Sequence, residues 1–154
     1  MPVRCASKAI ILRDGKVLLN RCRTEAGEVY YDLPGGGQHP CETMEETVVR
    51  EVAEETGYHV RVLRFLGLIE QIHDDPALRA AWPDYTHRIN HIFLAELTDG
   101  PRGTAAEKDF EYEESLWVPL DEADTLPFRP SALSGQLRAL LDGRDPWLGT
   151  ERVP

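Results

Sequence analysis

Glu51, Glu54 and Glu55 stand at i, i+3 and i+4 in a stretch that reads GGQHPCETMEETVVREVAEETGY over 36–58. On a helix, that spacing places three carboxylates within one arc of the surface. Like charges so placed repel by about 0.2–0.5 kcal/mol per pair, and near a helix C-terminus the macrodipole opposes them further. A hard divalent cation with oxygen ligands would relieve both costs. Arg50, beside Glu51, offers relief of its own, and a solvated acidic face is the reading that needs no metal.

The same stretch carries the signals of the helix that would hold these groups. Thr43 followed by Glu46 is a capping box, in which hydroxyl and carboxylate each satisfy an orphan amide of the first turn. Residues 44–56 contain neither Gly nor Pro, and Gly57 falls where a left-handed C-cap belongs. Met44, Val48, Val49, Val52 and Ala53 recur at helical spacing, so this flank is expected to pack on a core.

Taken with its spacings, the pattern is Gly36, five residues, Glu42, seven residues, Arg50-Glu51-Val52, then Glu54-Glu55 and Gly57-Tyr58. It resembles the Nudix box, G-x5-E-x7-R-E-U-x-E-E-x-G-U with U apolar. Tyr58 takes the last, usually aliphatic, position. The resemblance implies an α/β fold, the Nudix α/β/α sandwich with a mixed β-sheet between helices, as a single domain over 1–154. It also implies a pyrophosphohydrolase that attacks a nucleoside diphosphate derivative with water at phosphorus. By the same resemblance Gly36, Glu51, Glu54 and Glu55 would hold Mg2+, for which Mn2+ could substitute. Arg50 would hold the glutamates in place, and Glu42 would tie the loop to the helix. The catalytic base would be Glu54 or a carboxylate of a downstream loop, where Glu111, Glu113 and Glu114 lie. Glu114, close to the start of a strand, is the preferred one of the three.

The surrounding elements follow from periodicity and turn chemistry. Strands are expected over 3–12 and 16–20, joined by Asp14-Gly15, a two-residue hairpin signal. A third, over 29–33, runs into Pro34-Gly35-Gly36-Gly37, read as an open loop whose backbone can approach a ligand closely. No Gly-Lys-Ser/Thr follows, so it is not a P-loop. A long strand is expected over 60–72, a loop over 73–84, a buried strand over 87–97 and turns over 98–108. A short strand at Leu116-Trp117-Val118, a helical turn near Asp121 and a closing helix over 131–141 complete the chain. Strands interspersed with two helices indicate an α/β domain. His87 and His91 share one face of their strand and could reach a cleft. Tyr30, Tyr31, Phe65 and Tyr85 could stack a base, and Arg21 and Arg23 could touch phosphates. Packing and solvent exposure account for all of these equally well.

A net charge of −10 argues against a general nucleic-acid or anionic-membrane surface, and a phosphate substrate would need bound cations to draw it in. Cys5, Cys22 and Cys41 are odd in number and lack a CxxC spacing, which indicates neither a disulfide framework nor a zinc site. Reduced thiols, no membrane span and no signal peptide suggest a cytoplasmic protein. The partner expected is a small-molecule nucleotide; monomer and homodimer are both compatible with the sequence.

Two other functions compete. One is a non-catalytic Nudix-like domain that senses nucleotide or binds protein, although the glutamates such domains commonly lose are all present. The other is isomerisation of an isoprenoid diphosphate, which would need a reactive thiol; Cys41 is in the box loop and nothing else supports it. The family's ADP-ribose signature places a proline at a position occupied here by Asp74, with Pro76 slightly late. A downstream tyrosine that would signal dinucleoside polyphosphates is missing. A MutT-like nucleoside triphosphatase and a nucleotide-sugar hydrolase stand level.

Overall fold

The computed structural model describes residues 2–106 and 110–154. β1 (Arg4–Arg13) and β2 (Lys16–Arg23) form the expected hairpin. Asp14 and Gly15 both take positive φ, 51° and 75°, as the tight turns that match strand twist require. β3 (Val29–Asp32) continues antiparallel on β2. β4 (Gly35–Gly37) corrects the open-loop expectation: the three glycines form a short strand antiparallel to β1, with Ser7 opposite Gly36. Small residues let this strand lie against β1 on one side and a helix on the other.

α1 (Met44–Thr56) has the expected bounds and capping box. β5 (Val60–His73) and β6 (His87–Leu97) pair antiparallel along their length. β6 also pairs in parallel with β1, which places its apolar run between two neighbours. β7 (Tyr112–Pro119) pairs antiparallel with β2. β8 (Trp147–Val153), which no sequence signal indicated, lies parallel to β5. The sheet order is β3-β2-β1-β6-β5-β8, with β4 on β1 and β7 on β2.

Two further expectations are corrected. The segment 73–84 contains α2 (Pro76–Ala81), because Asp75 caps it and Pro76 suits a first turn; a 3₁₀ turn, Pro83–Tyr85, follows. The closing helix is broken into a 3₁₀ turn, Ser131–Leu133, and α4 (Leu137–Leu141), with Gly135 at φ 73° between them. α3 (Leu120–Ala123) is the helical turn expected after β7. The turns expected over 98–108 extend at 107 and 108 outside the described residues.

Alternation along the strands divides the core into two layers. Ala9, Ile11, Leu18 and Ala95 pack with Val48 and Val52 of α1. Ile10, Leu19, Ile69 and Ile92 pack on the opposite face with Phe128, Leu133, Leu137 and Leu140. The result is the α/β/α sandwich with a mixed sheet. α1 is rotated from the expected orientation: Met44 and Val49 are exposed, whereas Thr47, Val48, Val52, Glu55 and Thr56 are buried. Among the described residues, no helix is long and apolar enough to cross a membrane.

Candidate active site

α1 ends without a basic residue in its last turn, so its crowded C-terminus is neutralised by another segment. Arg102 Nε donates to Thr56 O at 2.8 Å, Gly103 N to Gly57 O at 2.7 Å and Ala106 N to Glu54 O at 2.8 Å. A guanidinium and two amides thus face the negative end of the helix dipole. They also fix the backbone of the turn that carries Glu54 and Glu55.

Arg50 is the hub of the carboxylates. Its Nε donates to Glu42 Oε2 at 2.7 Å and its Nη2 to Glu42 Oε1 at 3.0 Å, a bidentate pair. Nη1 donates to Glu51 Oε1 at 2.9 Å and Glu54 Oε2 at 3.1 Å, and Nη2 also reaches Gly37 O at 2.9 Å. Glu42 accepts further bonds from Thr47 Oγ1 and His39 N. The Arg50 guanidinium, with Thr47 assisting, holds the Glu42 carboxyl well below the usual carboxylate range against a smaller opposing effect of burial. Glu42 in turn raises Arg50 above its ordinary value.

Gly35 of β4 is required by its φ of 143° and by close approach, since a Cβ there would lie 2.0 Å from Ser7 O, while the next two glycines lie against side-chain ends. A Cβ at Gly36 would lie 2.6 Å from the Glu51 carboxylate, and one at Gly37 would lie 2.2 Å from Arg4 Nη2. Glu55 turns the other way. It accepts from Gly35 N at 2.9 Å and from Asn20 Nδ2 at 2.8 Å, while Asn20 Oδ1 accepts from Ser115 Oγ, which is bonded to Tyr112 OH. Glu51 and Glu54 therefore share Arg50, whereas Glu55 anchors α1 to β4 and β2 from the buried side. Among the described residues no three acidic, histidine or cysteine side chains converge as a metal-holding group. The donors on offer at β4 are two carboxylates and backbone carbonyls, a set that suits Mg2+ shared with substrate phosphates better than an all-protein cage.

A model of the NUDIX domain matches residues 3–138. The chain belongs to the Nudix family. It is 34% identical over 95 residues to the ADP-ribose pyrophosphatase of Methanocaldococcus jannaschii, covering 62% of this chain and 52% of that protein. It is 29% identical over 133 residues to the NAD-capped RNA hydrolase NudC of Chromobacterium violaceum, covering 86% of this chain and 44% of that one. The chain thus spans about half the length of these curated relatives. A crystal structure of a UDP-X diphosphatase superposes with a TM-score of 0.65 at 20% identity, covering 96% of this chain and 67% of the other; that likeness concerns the fold.

Outside the Nudix box, several expected residues serve other ends. Glu114 lies opposite Arg21 in the β2–β7 register and pairs with it at 2.6 Å. Its neighbour Ser115 faces Asn20 and through it Glu55. Alternation therefore turns Glu114 to the face away from α1, the face on which Leu116 packs. Glu113 is tied to Arg21 and Arg23, and Glu111 accepts from Tyr30 OH. His87 pairs with Glu70, and His91 Nδ1 meets Ala6 O at 3.2 Å.

The residues that sequence reasoning missed lie on the opposite parity of β6. A cavity of about 240 Å³ is lined by Arg4, Lys8, Arg88, Asn90 and Tyr85 together with β4 and Glu51. Their signal in the sequence was weak: Arg4 and Lys8 on β1, and Arg88 and Asn90 on β6, share a parity, but the opposite parity carries Ser7, His87 and His91 as well. Tyr85 alone was singled out, as a base-stacking candidate.

Proposed function

We propose that the chain is a magnesium-dependent pyrophosphohydrolase that splits the diphosphate of a nucleoside diphosphate linked to a second group, X. The observation that carries this reading is the Arg50 hub, which holds Glu42, Glu51 and Glu54 against a β4 glycine whose Cβ position the Glu51 carboxylate fills. Glu51 and the Gly36 carbonyl would hold Mg2+, for which Mn2+ could substitute. Bound there, the ion would screen phosphate oxygens and acidify a coordinated water. Glu54, more exposed than Glu51, takes the proton of the attacking water. The new bond joins that water's oxygen to phosphorus, the anhydride P–O bond breaks, and the products are a nucleoside monophosphate and X phosphate. Arg50 holds the two carboxylates in place through one shared nitrogen. Glu55 positions β4 rather than binding the ion directly. The names of the relatives, pyrophosphatase and NAD-capped RNA hydrolase, support the bond class.

The test is hydrolysis of a panel of nucleoside diphosphate derivatives by the chelated protein, before and after magnesium or manganese is restored. Loss of activity in EDTA and its return with either ion is the expected result. Undiminished turnover without metal would overturn the mechanism, and a chain that binds nucleotide yet hydrolyses none of the panel would be the sensor instead.

A further inference from the structure

Arg4 and Arg88 are register partners on the parallel strands β1 and β6, with Asn90 opposite Ala6 one step along the same face and Lys8 beyond it. Like charges directly across neighbouring strands destabilise a sheet. Each of the three cations has a neutral group against it. Arg4 lies 4.7 Å from the centroid of the Tyr85 ring, Lys8 Nζ donates to Gly35 O at 3.2 Å and Arg88 Nη2 donates to Gln71 Oε1 at 2.6 Å. Two donors aimed at this region, Arg88 Nε and Asn90 Nδ2, are buried without a hydrogen-bond partner among the described residues, a costly condition for a folded protein. Burial pushes the Arg88 guanidinium down from its ordinary value and Arg4 adds to the effect, with Tyr85 and Asp32 opposing. In a chain with a net charge of −10, a cavity holding three cations and orphaned donors is built for an anion.

We propose that the Arg4–Lys8–Arg88–Asn90 cavity is the subsite for a negatively charged X, so that the preferred substrates carry phosphate beyond the bond that is cut. The proposal rests on the hydrolase reading above. The cavity also includes Glu51, so a phosphate held there stays continuous with the diphosphate at β4. A nucleoside triphosphate and a dinucleoside polyphosphate both present that chemistry. A nucleotide sugar with an uncharged sugar does not, and its binding would leave the arginines facing each other.

Two measurements test this. The first compares kcat/KM for a nucleoside triphosphate, a dinucleoside polyphosphate and an uncharged nucleotide sugar, in wild type and Arg88→Gln. Loss of one charge-assisted contact should reduce kcat/KM for the charged substrates about 10- to 100-fold, mostly through KM, and leave the sugar substrate within a few-fold. The two charged substrates separate an X that is a bare phosphate from an X that is a second nucleotide. An equal loss on all three would overturn the proposal. So would a changed preference among bases at constant X, which would make the cavity a base reader.

The second measurement needs no turnover: calorimetric titration of inorganic tripolyphosphate in EDTA. Wild type should bind it, and Asn90→Asp, which adds a negative charge at nearly constant shape, should not. A wild type that fails to bind tripolyphosphate overturns the subsite whether or not the hydrolase reading stands. Binding without hydrolysis of any nucleotide would overturn only the hydrolase reading.

Discussion

Glu42, Glu51 and Glu54 are spread over 42–54 around α1, whereas Glu111, Glu113 and Glu114 crowd into 111–114 at the start of β7. Their surroundings differ. The α1 carboxylates converge on one guanidinium, which donates to all three and to the carbonyl of Gly37. The Glu51 side chain keeps only 13% of its surface exposed. The β7 carboxylates are dispersed among Arg21, Arg23 and Tyr30, and the Glu114 side chain is 48% exposed. Exposed pairs of that kind contribute about 0–1 kcal/mol each. Acidic density alone therefore says little about chemistry. A carboxylate becomes useful when the backbone beside it leaves room and one counter-charge holds it without covering it.

The comparison breaks most visibly at Glu54. Glu54→Gln keeps the shape of the side chain and removes its basicity, so kcat at saturating magnesium should fall about 10²- to 10⁴-fold, the usual range for a positioned acid–base group. Thermal melting should be nearly unchanged. Glu51→Gln provides the contrast: its defect should shrink as magnesium is raised, since it removes a metal donor and leaves the base. A Glu54→Gln enzyme with near-normal kcat would transfer the base to Glu51.

Arg50→Ala should act on both function and stability. It strips three carboxylates of their shared partner, which then repel one another. We expect kcat/KM to fall about 10- to 100-fold, as for loss of groups that orient metal ligands. The melting temperature should fall by about 2–4 °C for each kcal/mol lost, the scale for a chain of this length. Arg50→Lys should recover little of either, because an ammonium cannot reproduce the fork that serves Glu42 and Gly37 together.

Acid separates the two clusters more finely. Glu42 is held below the usual carboxylate range chiefly by Arg50, and Glu113 chiefly by Arg23. A carboxyl whose folded value is depressed contributes stability that is fully present above its unfolded value, about 4.3 for Glu. That contribution is lost as pH falls through the folded value. Melting temperature should therefore decline below about pH 4.3 in wild type, and the decline should be shallower in Arg50→Ala. Arg23→Ala should change the slope less, since its pair is exposed. Equal slopes in all three proteins would place the acid sensitivity outside the α1 cluster.

Legibility in the sequence followed range. The bounds of α1 and its capping box depend on neighbours within a few turns, and spacing reveals them, while the roles of Glu42 and Arg50 follow from the resemblance to the Nudix box. The burial of Glu55 depends on Asn20 and Gly35, distant in the chain, and helical spacing alone placed all three carboxylates on one solvent-facing arc. The open loop that became β4 needed a partner in β1. The Arg4–Arg88 cavity exists only through the parallel register of β1 and β6, and no local pattern states which strands will be neighbours. β8 was missed for a related reason: WLGTERV has a glycine and two charges, and only its place on β5 makes it a strand.

Glu114→Gln carries the smallest expected effect. Leu116 and Trp117 belong to opposite layers of the core, Leu116 with the layer of Leu137 and Trp117 with that of α1. Counting back by twos puts Ser115 with Trp117 and Glu114 with Leu116, consistent with the bond from Ser115 to Asn20. The β2–β7 irregularity falls between Arg21 and Cys22, beyond the Arg21–Glu114 pair, so it does not disturb this count. On that face Glu114 is half-exposed and paired with Arg21. Glu114→Gln should leave kcat and its acidic pH limb within about threefold of wild type, the scale of losing one exposed ion pair. A loss of orders of magnitude, with the acidic limb gone, would mean that both clusters take part in the chemistry.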